Sequence, residues 1–286
     1  ENVPADTAAF LAARKPVRPG PTALAVTQDR LSEKQFLTSA GLPLAAFAAI
    51  DTSAQLQAAL ATLGVPAVLK TRRMGYDGKG QVILRNTADA DAALVQLGGR
   101  DCVLEAFVPF IREVSVVVAR GLNGTVQAYD VCENQHRNHI LAKTILPAHL
   151  NEATASQARA YAKTIAERLD YVGVLTVELF VVGTGADEHV LINEIAPRVH
   201  NSGHWTIEGA ETSQFAQHIR AIAGWPLGSV RRLGRVEMHN LVGEEAADWA
   251  DLLAQEGAHL HLYGKAEIRP GRKMGHVTRI LSENTD

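Results

Sequence analysis

Short apolar runs alternate along the chain with segments that carry a helical repeat. Runs rich in β-branched residues predict strands at 65–73, 81–85, 101–108, 113–120, 126–132, 172–182, 235–243 and 259–263. The helical repeat predicts helices at about 29–40, 53–63, 87–97, 151–169 and 212–222. Residues 1–23 contain four prolines, which favours a connector with one helical turn at 7–13. No internal repeat and no low-complexity tract interrupts these elements.

One predicted strand changes abruptly into a polar stretch, Leu191–His204. Within twelve positions this stretch carries Asn193, Glu194, Arg198, His200, Asn201 and His204. A connecting loop needs no such density of polar and ionisable groups. The stretch is therefore the first candidate for a functional site.

A second carboxylate, Glu178, lies in the middle of the apolar run 172–182. Gly183 and Gly185 follow as turn signals, so the run is expected to pair with the strand that carries Glu194. Two close carboxylates repel each other unless a proton or a cation lies between them, and carboxylate and amide oxygens suit Mg²⁺. The alternative is a glutamate neutralised by a nearby arginine.

The segment 74–81 contains three glycines, Gly75, Gly78 and Gly80, together with Lys79. Glycines permit close approach of the backbone to a ligand, and a nearby lysine suits a phosphate. The spacing is not that of a P-loop, and a hairpin turn explains the segment equally well. Lys70, at the end of the preceding strand, favours the phosphate interpretation.

Three further features remain ambiguous from the residues alone. Glu105 and Glu113 flank a break at Pro109, where an acidic pair is usually only solvated. His136 lies in a segment predicted to be a polar turn, and a lone surface histidine is seldom functional. The segment 265–276 places four cations and a histidine in a Gly/Pro turn, which is either a solvated turn or an anion site.

The composition narrows the class of protein. The chain has 286 residues, enough for two subdomains, with 47% hydrophobic residues, 21% charged residues and a net charge of −3. This charge balance argues against nucleic acid as a partner, and no apolar run reaches membrane-spanning length. The two cysteines, Cys102 and Cys132, have no metal-ligand spacing, so a reducing cytoplasm is expected.

Taken together, the motifs resemble the ATP-grasp superfamily, and within it the N5-carboxyaminoimidazole ribonucleotide synthase family. The matching segments are Asp29-Arg-Leu-Ser-Glu-Lys34, Val68-Leu-Lys70, Gly75-Tyr-Asp-Gly-Lys-Gly-Gln81, Asn193-Glu-Ile-Ala-Pro-Arg-Val-His-Asn-Ser-Gly-His-Trp205 and Arg269-Pro-Gly-Arg-Lys-Met-Gly-His276. The resemblance covers most of the chain, from about Asp29 to His276, and the segment that begins at Asn193 is its most specific part. It implies an α+β ATP-grasp fold, in which two α+β subdomains clamp ATP, with a small β-rich C-terminal subdomain.

The resemblance also implies roles for individual residues. The residues expected to bind ATP are Arg30, Lys70, Gly75, Tyr76, Asp77, Gly78, Lys79, Gly80, Gln81, Glu105, Ala106, Phe107, Val108, Glu113, His136, Asn193 and Glu194. Among these, Glu105 would form hydrogen bonds with the edge of the adenine, and Glu113 would form them with the ribose hydroxyls. Glu178 and Glu194 would hold Mg²⁺. The catalytic group would be Arg198, His200 and Asn201 for bicarbonate, together with Lys265. The aminoimidazole ribonucleotide would meet Asp77, Lys265 and Arg272.

The implied reaction is the carboxylation of aminoimidazole ribonucleotide with ATP and bicarbonate, in a homodimer. The expected segments are a connector at 1–28, a small ATP-grasp subdomain at 29–108, a large one at 109–228 and a C-terminal subdomain at 229–286. An N-terminal Rossmann-like domain of the family is expected to be missing. Two alternatives are another ATP-grasp ligase and a nucleotide-binding module without catalysis.

Overall fold

The computed structural model describes residues 3–75 and 78–281. The helices are α1 (Ala5–Ala12), α2 (Pro21–Thr27), α3 (Arg30–Ser39), α4 (Ser53–Leu63), α5 (Ala90–Gln96), α6 (Glu152–Arg168), α7 (Thr206–Gly209), α8 (Gln214–Ala223) and α9 (Trp249–Leu253). The strands are β1 (Phe47–Ile50), β2 (Ala67–Thr71), β3 (Gln81–Leu84), β4 (Cys102–Ala106), β5 (Arg112–Arg120), β6 (Val126–Ala128), β7 (Cys132–Arg137), β8 (Ile140–Leu146), β9 (Gly173–Val182), β10 (His189–Ala196), β11 (Arg235–Val242), β12 (Ala258–Leu262) and β13 (Lys273–Leu281).

These strands form a small and a large sheet. The small sheet is antiparallel and has the order β1-β4-β2-β3. The large sheet has the order β10-β9-β5-β7-β8-β11-β13-β12, and β6 pairs with β5. In the small sheet Lys70 lies opposite Gln81, and Val68 lies opposite Glu105. The register therefore joins the strands that carry several of the residues predicted to bind ATP.

Contacts between Cα atoms divide the chain into two compact units. The first unit comprises Glu1–Ile111 and Leu179–Pro197, and the second comprises Arg112–Glu178 and Arg198–Asp286. This division differs from the four expected segments, because 179–197 groups with the N-terminal part and 229–286 groups with 112–178. The four-segment scheme stays a prediction.

The first unit is built around the small sheet and the helices α4 and α5. Its core contains Ile50, Leu56, Leu60, Leu69, Leu84 and Leu104, each at most 2% exposed. Full burial of one such side chain contributes about 1.5–3 kcal/mol. The helix α4 begins with a capping box between Thr52 and Gln55, and it ends at Gly64, whose φ of 78° favours glycine. The predicted helix at 53–63 is confirmed.

The core of the second unit lies around Trp205. The rings of Trp205 and Tyr129 meet edge to face with 6.2 Å between their centroids. The Tyr129 hydroxyl donates to the carbonyl of Thr212 at 2.8 Å. The strand β5 is buried continuously from Val114 to Ala119, as expected of a strand covered on both faces.

Several predictions of secondary structure are wrong. Residues 1–28 contain two helices where a connector with one turn was predicted. Pro21 occupies the first turn of α2, where its missing N–H removes no helical hydrogen bond. The strand predicted at 126–132 is interrupted between Ala128 and Cys132.

His136 lies in β7, not in a polar turn. The turn falls instead on Asn138 and His139, whose φ values of 51° and 63° are positive. The strand β8, which the sequence did not predict, returns from this turn. The basic turn predicted at 265–276 also ends early, because β13 begins at Lys273 and buries His276.

Both cysteines, Cys102 and Cys132, are buried free thiols. Across residues 3–75 and 78–281, no helix combines the length and the apolar character that a bilayer crossing requires.

Candidate functional site

In the first unit, Arg30 connects two of the predicted elements of the site. Asp29 caps α3 by accepting from the backbone N–H groups of Leu31 and Ser32 at 3.0 and 3.1 Å, which places Arg30 in the first turn. The Arg30 guanidinium lies 3.7 Å from a carboxylate oxygen of Glu194 and 3.5 Å from the carbonyl of Gly75. The arginine therefore links the acidic strand β10 to the start of the glycine-rich loop.

The glycine-rich loop needs glycine at its ends for steric reasons. A Cβ on Gly80, whose φ is 72°, would lie 2.7 Å from the hydroxyl oxygen of Thr71. A Cβ on Gly75 would lie 3.0 Å from the carbonyl of Lys79. These tight contacts account for glycine at positions 75 and 80. Tyr76 and Asp77, predicted to bind ATP and substrate, lie outside the described residues.

Glu105 lies between two lysines. One oxygen of its carboxylate is 3.1 Å from the Nζ of Lys70 and 3.1 Å from the Nζ of Lys34. Burial raises the pKa of Glu105, but the two lysines outweigh this effect and the net pKa is lowered. Burial lowers the pKa of Lys70, and Glu105 opposes that shift. The other oxygen of Glu105 is buried and has no hydrogen-bond partner among the described residues.

The family resemblance gave no role to Lys34, which is 2% exposed in α3. It assigned Glu105 to the adenine edge, a role that stays a prediction. Two backbone N–H groups that follow Glu105 already have hydrogen-bond partners. The Ala106 N–H donates to the carbonyl of Ala46 at 2.8 Å, and the Phe107 N–H donates to the carbonyl of Pro66 at 3.3 Å.

A second buried acid, Glu33, was also missed. Its carboxyl accepts from the backbone N–H of Ile195 at 3.1 Å. Burial, and after it the neighbouring Glu194, raise the pKa of Glu33 to about 8. Asn193 and Glu194 precede this contact on β10, so α3 holds the acidic strand at the predicted metal position. The helix repeat alone could have placed Glu33 on the buried face.

In the second unit, Glu113 and His136 come together. They lie on the paired strands β5 and β7, and the Nδ1 of His136 is 2.5 Å from a carboxylate oxygen of Glu113. Both were assigned to the nucleotide from the resemblance, and the sheet register accounts for their proximity.

His200 and Glu178 form the next pair. The Nε2 of His200 lies 3.2 Å from Glu178, whose side chain is 22% exposed. Burial and the cationic Arg198 and Lys273 lower the pKa of His200 to about 3. The neutral form agrees with the geometry, because Nδ1 accepts from the N–H of Ser202 at 3.3 Å and Nε2–H donates to Glu178. His200 is thus a neutral hydrogen-bond donor.

Asn201 is joined to a network that the sequence did not reveal. Its side-chain amide exchanges hydrogen bonds with Asn240 at 2.8 and 2.7 Å. Its Nδ2 also lies 3.2 Å from the Nδ1 of His204. The hydroxyl of Tyr263 lies 3.1 Å from His204 and 2.8 Å from the Nδ1 of His276. Asn240, Tyr263 and His276 are all distant from Asn201 in sequence.

The cations of the C-terminal turn are fixed to its own backbone. The Nζ of Lys265 donates to the carbonyl of Lys273 at 2.5 Å, and Arg272 donates to the carbonyl of Glu267 at 2.9 Å. Burial, with Arg272 and Lys273 nearby, lowers the pKa of Lys265. The turn therefore concentrates positive charge, as an anion site requires.

The small sheet, its glycine-rich loop and the carboxylates of β9 and β10 define an ATP-grasp protein. A sequence model described as the ATP-grasp domain matches residues 35–215. A second, described as the phosphoribosylaminoimidazole carboxylase C-terminal domain, matches residues 237–286.

Similar proteins agree on the family. An N5-carboxyaminoimidazole ribonucleotide synthase of Brucella melitensis is 48% identical over 98% of this chain and 77% of its own length. The Pseudomonas aeruginosa synthase is 47% identical over 97% of this chain and 75% of its own length. The solved synthetase of Thermus thermophilus has a TM-score of 0.91 and 49% identity, covering 98% and 75% of the two chains. The chain belongs to the N5-carboxyaminoimidazole ribonucleotide synthase family, and it spans about three quarters of the length of these relatives.

One solved relative carries relevant ligands. It is an N5-carboxyaminoimidazole synthase of Aspergillus clavatus, described as a complex with ADP and 5-aminoimidazole ribonucleotide. Its TM-score is 0.91 at 29% identity, with 98% of this chain and 76% of that chain covered.

We predict that Glu105→Gln lowers the free energy of unfolding by about 3 kcal/mol, because Lys34 and Lys70 then lie buried without a counter-charge. Adding Lys34→Met removes one stranded cation, so the double variant should lose about 1–2 kcal/mol less than the sum of the single changes. Urea denaturation measures each variant, with the exposed Glu256→Gln as the control. If the effects of the two single changes on the free energy of unfolding simply added, the assignment of Glu105 as the counter-charge of Lys34 would be contradicted.

A second prediction concerns pH. Burial lowers the pKa of His276 from 6.5 to about 3, with His204 and His261 contributing. Below pH 6.5 the unfolded chain binds a proton that the folded chain does not. Stability should therefore fall as pH drops from 6.5 towards 3, by up to about 1.4 kcal/mol per pH unit from this group.

The variant His276→Asn should reduce this slope by a comparable amount. Unfolding free energies measured at several pH values between neutral and acid test the prediction, with the exposed His259→Asn as the control. An unchanged slope in His276→Asn would show that His276 is protonated in the folded chain.

Proposed function

We propose that this chain carboxylates 5-aminoimidazole ribonucleotide with ATP and bicarbonate, giving N5-carboxyaminoimidazole ribonucleotide through carboxyphosphate. The observation that carries the proposal is the match over 98% of the chain to synthases of this name, one of them solved with ADP and the ribonucleotide. The groups that this chemistry needs are present in both units.

The first unit supplies the groups for the nucleotide. Arg30, Lys70 and the loop from Gly75 to Gln81 would contact the phosphates. Phosphoryl transfer depends mainly on positioning and charge neutralisation, so cations near the phosphates suit it. Because Glu105, which also pairs with Lys34, holds the Nζ of Lys70 in place, the cation is preorganised before the nucleotide arrives.

The metal is proposed to be Mg²⁺, with Glu178 and Glu194 as its ligands and Asn193 beside them. The donors are carboxylate and amide oxygens, which suit this ion, and the Glu194 side chain is 42% exposed and thus open to a ligand. No group of three or more His, Cys, Asp or Glu residues in the described parts of the chain could hold a metal. This fits an ion whose coordination is completed by nucleotide phosphates. When bound, Mg²⁺ would neutralise charge on those phosphates.

The second unit supplies the groups for bicarbonate. Arg198 would bind the anion, and the neutral His200 would lie beside it, with its Nε2–H held by Glu178. Bicarbonate is a poor nucleophile, so holding it in line with the γ-phosphate would account for much of the rate. A neutral histidine beside the arginine adds no second positive charge that would hold the anion too tightly.

Lys265 and Arg272 would bind the ribonucleotide. Asp77 is assigned to the same substrate on the basis of the family resemblance alone. Carboxyphosphate hydrolyses readily, so the loop 74–81 is proposed to exclude water. Decay of carboxyphosphate to CO₂ beside the substrate amine would give the carbamate, with phosphate as a base.

We also propose a homodimer in the cytoplasm. The family resemblance is the support for the dimer. The free thiols of Cys102 and Cys132 fit a reducing compartment. Light scattering at several protein concentrations tests the dimer.

The experiment that tests the function measures ADP release together with labelled bicarbonate in the product. Both should require ATP, Mg²⁺, bicarbonate and the ribonucleotide. ADP release that needs a different carboxylate would favour another ATP-grasp ligase. Nucleotide binding without any turnover would favour a binding module.

Glu194→Gln should lower kcat by orders of magnitude while the protein stays folded, because it removes charge at nearly constant shape. Turnover at several Mg²⁺ concentrations and a thermal melt give the two measurements. The exposed Asp187→Asn, on the same hairpin, is the control. Turnover like that of the unaltered chain would remove Glu194 from the metal site.

Arg198→Ala should abolish phosphate release that depends on bicarbonate and leave KM for ATP within a few-fold. The arginine is proposed to hold only the carboxylating anion. Arg231→Ala, which breaks an exposed pair with Glu211, is the matched control. Loss of ATP binding in Arg198→Ala would place the residue in the nucleotide site instead.

Arg272→Ala should raise KM for the ribonucleotide about ten- to a hundredfold, since a charged hydrogen bond contributes about 1.5–3 kcal/mol. KM for ATP should stay nearly constant. Arg269→Ala changes a cation of the same turn that pairs with Glu267, and serves as the control. Equal effects on both substrates, or on neither, would make the turn a solvated surface.

A further inference from the structure

We propose that Asn240 and His204 are positioning residues for Asn201, and that they leave its carbonyl oxygen as the group that faces bicarbonate. The inference deepens the proposed function and rests on it. It contradicts the simplest view of Asn201, in which the amide N–H donates to the anion.

The backbone carbonyl of Leu141 determines the orientation of the Asn240 side-chain amide. The Nδ2 of Asn240 lies 2.9 Å from this oxygen. A backbone carbonyl can only accept, so the NH₂ group of Asn240 must face it. Because Asn240 is 5% exposed on β11, this contact fixes which way its amide is turned.

The fixed amide of Asn240 then fixes that of Asn201. The Oδ1 of Asn240 lies 2.8 Å from the Nδ2 of Asn201, and the Nδ2 of Asn240 lies 2.7 Å from the Oδ1 of Asn201. Turning the Asn201 amide over would set oxygen against oxygen and NH₂ against NH₂. One amide hydrogen of Asn201 is therefore held by Asn240.

His204 takes the other amide hydrogen. Its Nδ1 lies 3.2 Å from the Nδ2 of Asn201, which can only donate. For this contact to be a hydrogen bond, the Nδ1 of His204 must accept, with the ring proton on Nε2, and the Tyr263 hydroxyl 3.1 Å away must donate to the same nitrogen. Burial, and then the cationic Lys273, lower the pKa of His204 to about 4, which agrees with a neutral ring.

Tyr263 and His276 hold the His204 ring in place. The Tyr263 hydroxyl lies 3.1 Å from the Nδ1 of His204 and 2.8 Å from the Nδ1 of His276. The rings of His276 and His204 lie 4.9 Å apart, and those of His276 and His261 stack at 4.7 Å. In the sheet, Asn240 lies opposite His276, which lies opposite His261.

The network has a consequence for the choice of substrate. With both amide hydrogens engaged, Asn201 can offer a ligand only a lone pair of its carbonyl oxygen. Bicarbonate carries one O–H, which can donate to that lone pair, while Arg198 binds the anionic oxygens. Carbonate has no hydrogen to donate. The arrangement therefore selects a singly protonated oxyanion.

The first test is a nitrogen NMR spectrum of the histidines in the unaltered chain. The Nδ1 of His204 should resonate as an unprotonated ring nitrogen and its Nε2 as a protonated one, at neutral pH. In Asn240→Leu, the Asn201 amide loses its partner, and both signals should shift. A protonated Nδ1 on His204 in the unaltered chain would overturn the proposal, whatever the activity.

The second test is kinetic. Asn240→Leu should raise KM for bicarbonate and lower kcat, together by about tenfold or more, with KM for ATP within about twofold. His204→Gln, which keeps an acceptor, should retain more activity than His204→Phe. Thr278→Val is the matched control, because Thr278 is fully buried on β13 and its hydroxyl has no hydrogen-bond partner among the described residues.

The outcomes separate the inference from the function on which it rests. An unaltered chain without bicarbonate-dependent turnover would reject the proposed function, and the NMR result would still judge the network. An active chain in which Asn240→Leu and both His204 variants behave like Thr278→Val would reject the positioning role.

Discussion

The first unit depends on one carboxylate, that of Glu105. A buried charge costs several kcal/mol unless it is paired, and Glu105 pairs with Lys34 and Lys70 through a single oxygen. The helix α3 and the strands β2 and β4 are thereby tied together by charge. Arg30, at the start of the same helix, reaches Glu194 and the glycine-rich loop. The position of α3 thus sets the positions of Arg30 and Lys34 and, through Glu105, that of the Nζ of Lys70.

In the second unit, by contrast, three partly or fully buried histidines are kept uncharged. His200, His204 and His276 all have pKa values lowered to about 4 or below, chiefly by burial. Neutral rings can be packed against one another and still donate or accept hydrogen bonds. The proposed carboxylation needs groups that orient a small anion without trapping it, and neutral imidazoles beside one arginine suit that requirement.

The sequence predicted the parts that local physics decides. The helix at 53–63, with its glycine stop, and the apolar strand 113–120 follow from periodicity and capping, and α4 and β5 agree with them. The ATP-grasp fold followed from the motifs. The interruption after Ala128 and the strand β8 were missed, because pairing with distant strands overrides the local preference there.

The site residues divide in the same way, into those that the motifs predicted and those that the sequence did not reveal. Arg30, Lys70, Glu178, Glu194 and His200 were proposed from motifs, and the contacts of each within its own unit are now visible. Lys34, Glu33 and Asn240 were missed, because each acts through a partner far away in sequence. A buried lysine in a helix leaves no local sign of the carboxylate that it meets. The packing of α3 brings Lys34 to Glu105 and Glu33 to Ile195, and the fold of the second unit brings Asn240 to Asn201.

The two buried thiols have a practical consequence. Burial raises the pKa of Cys132 to about 11 and also raises that of Cys102, so neither sulfur is readily converted to the reactive thiolate. The chain has no other cysteine. A single cysteine introduced on an exposed surface should therefore react with a maleimide dye far faster than either native thiol. Fluorescent probes could then be attached site by site on the native background, without first deleting residues from the core.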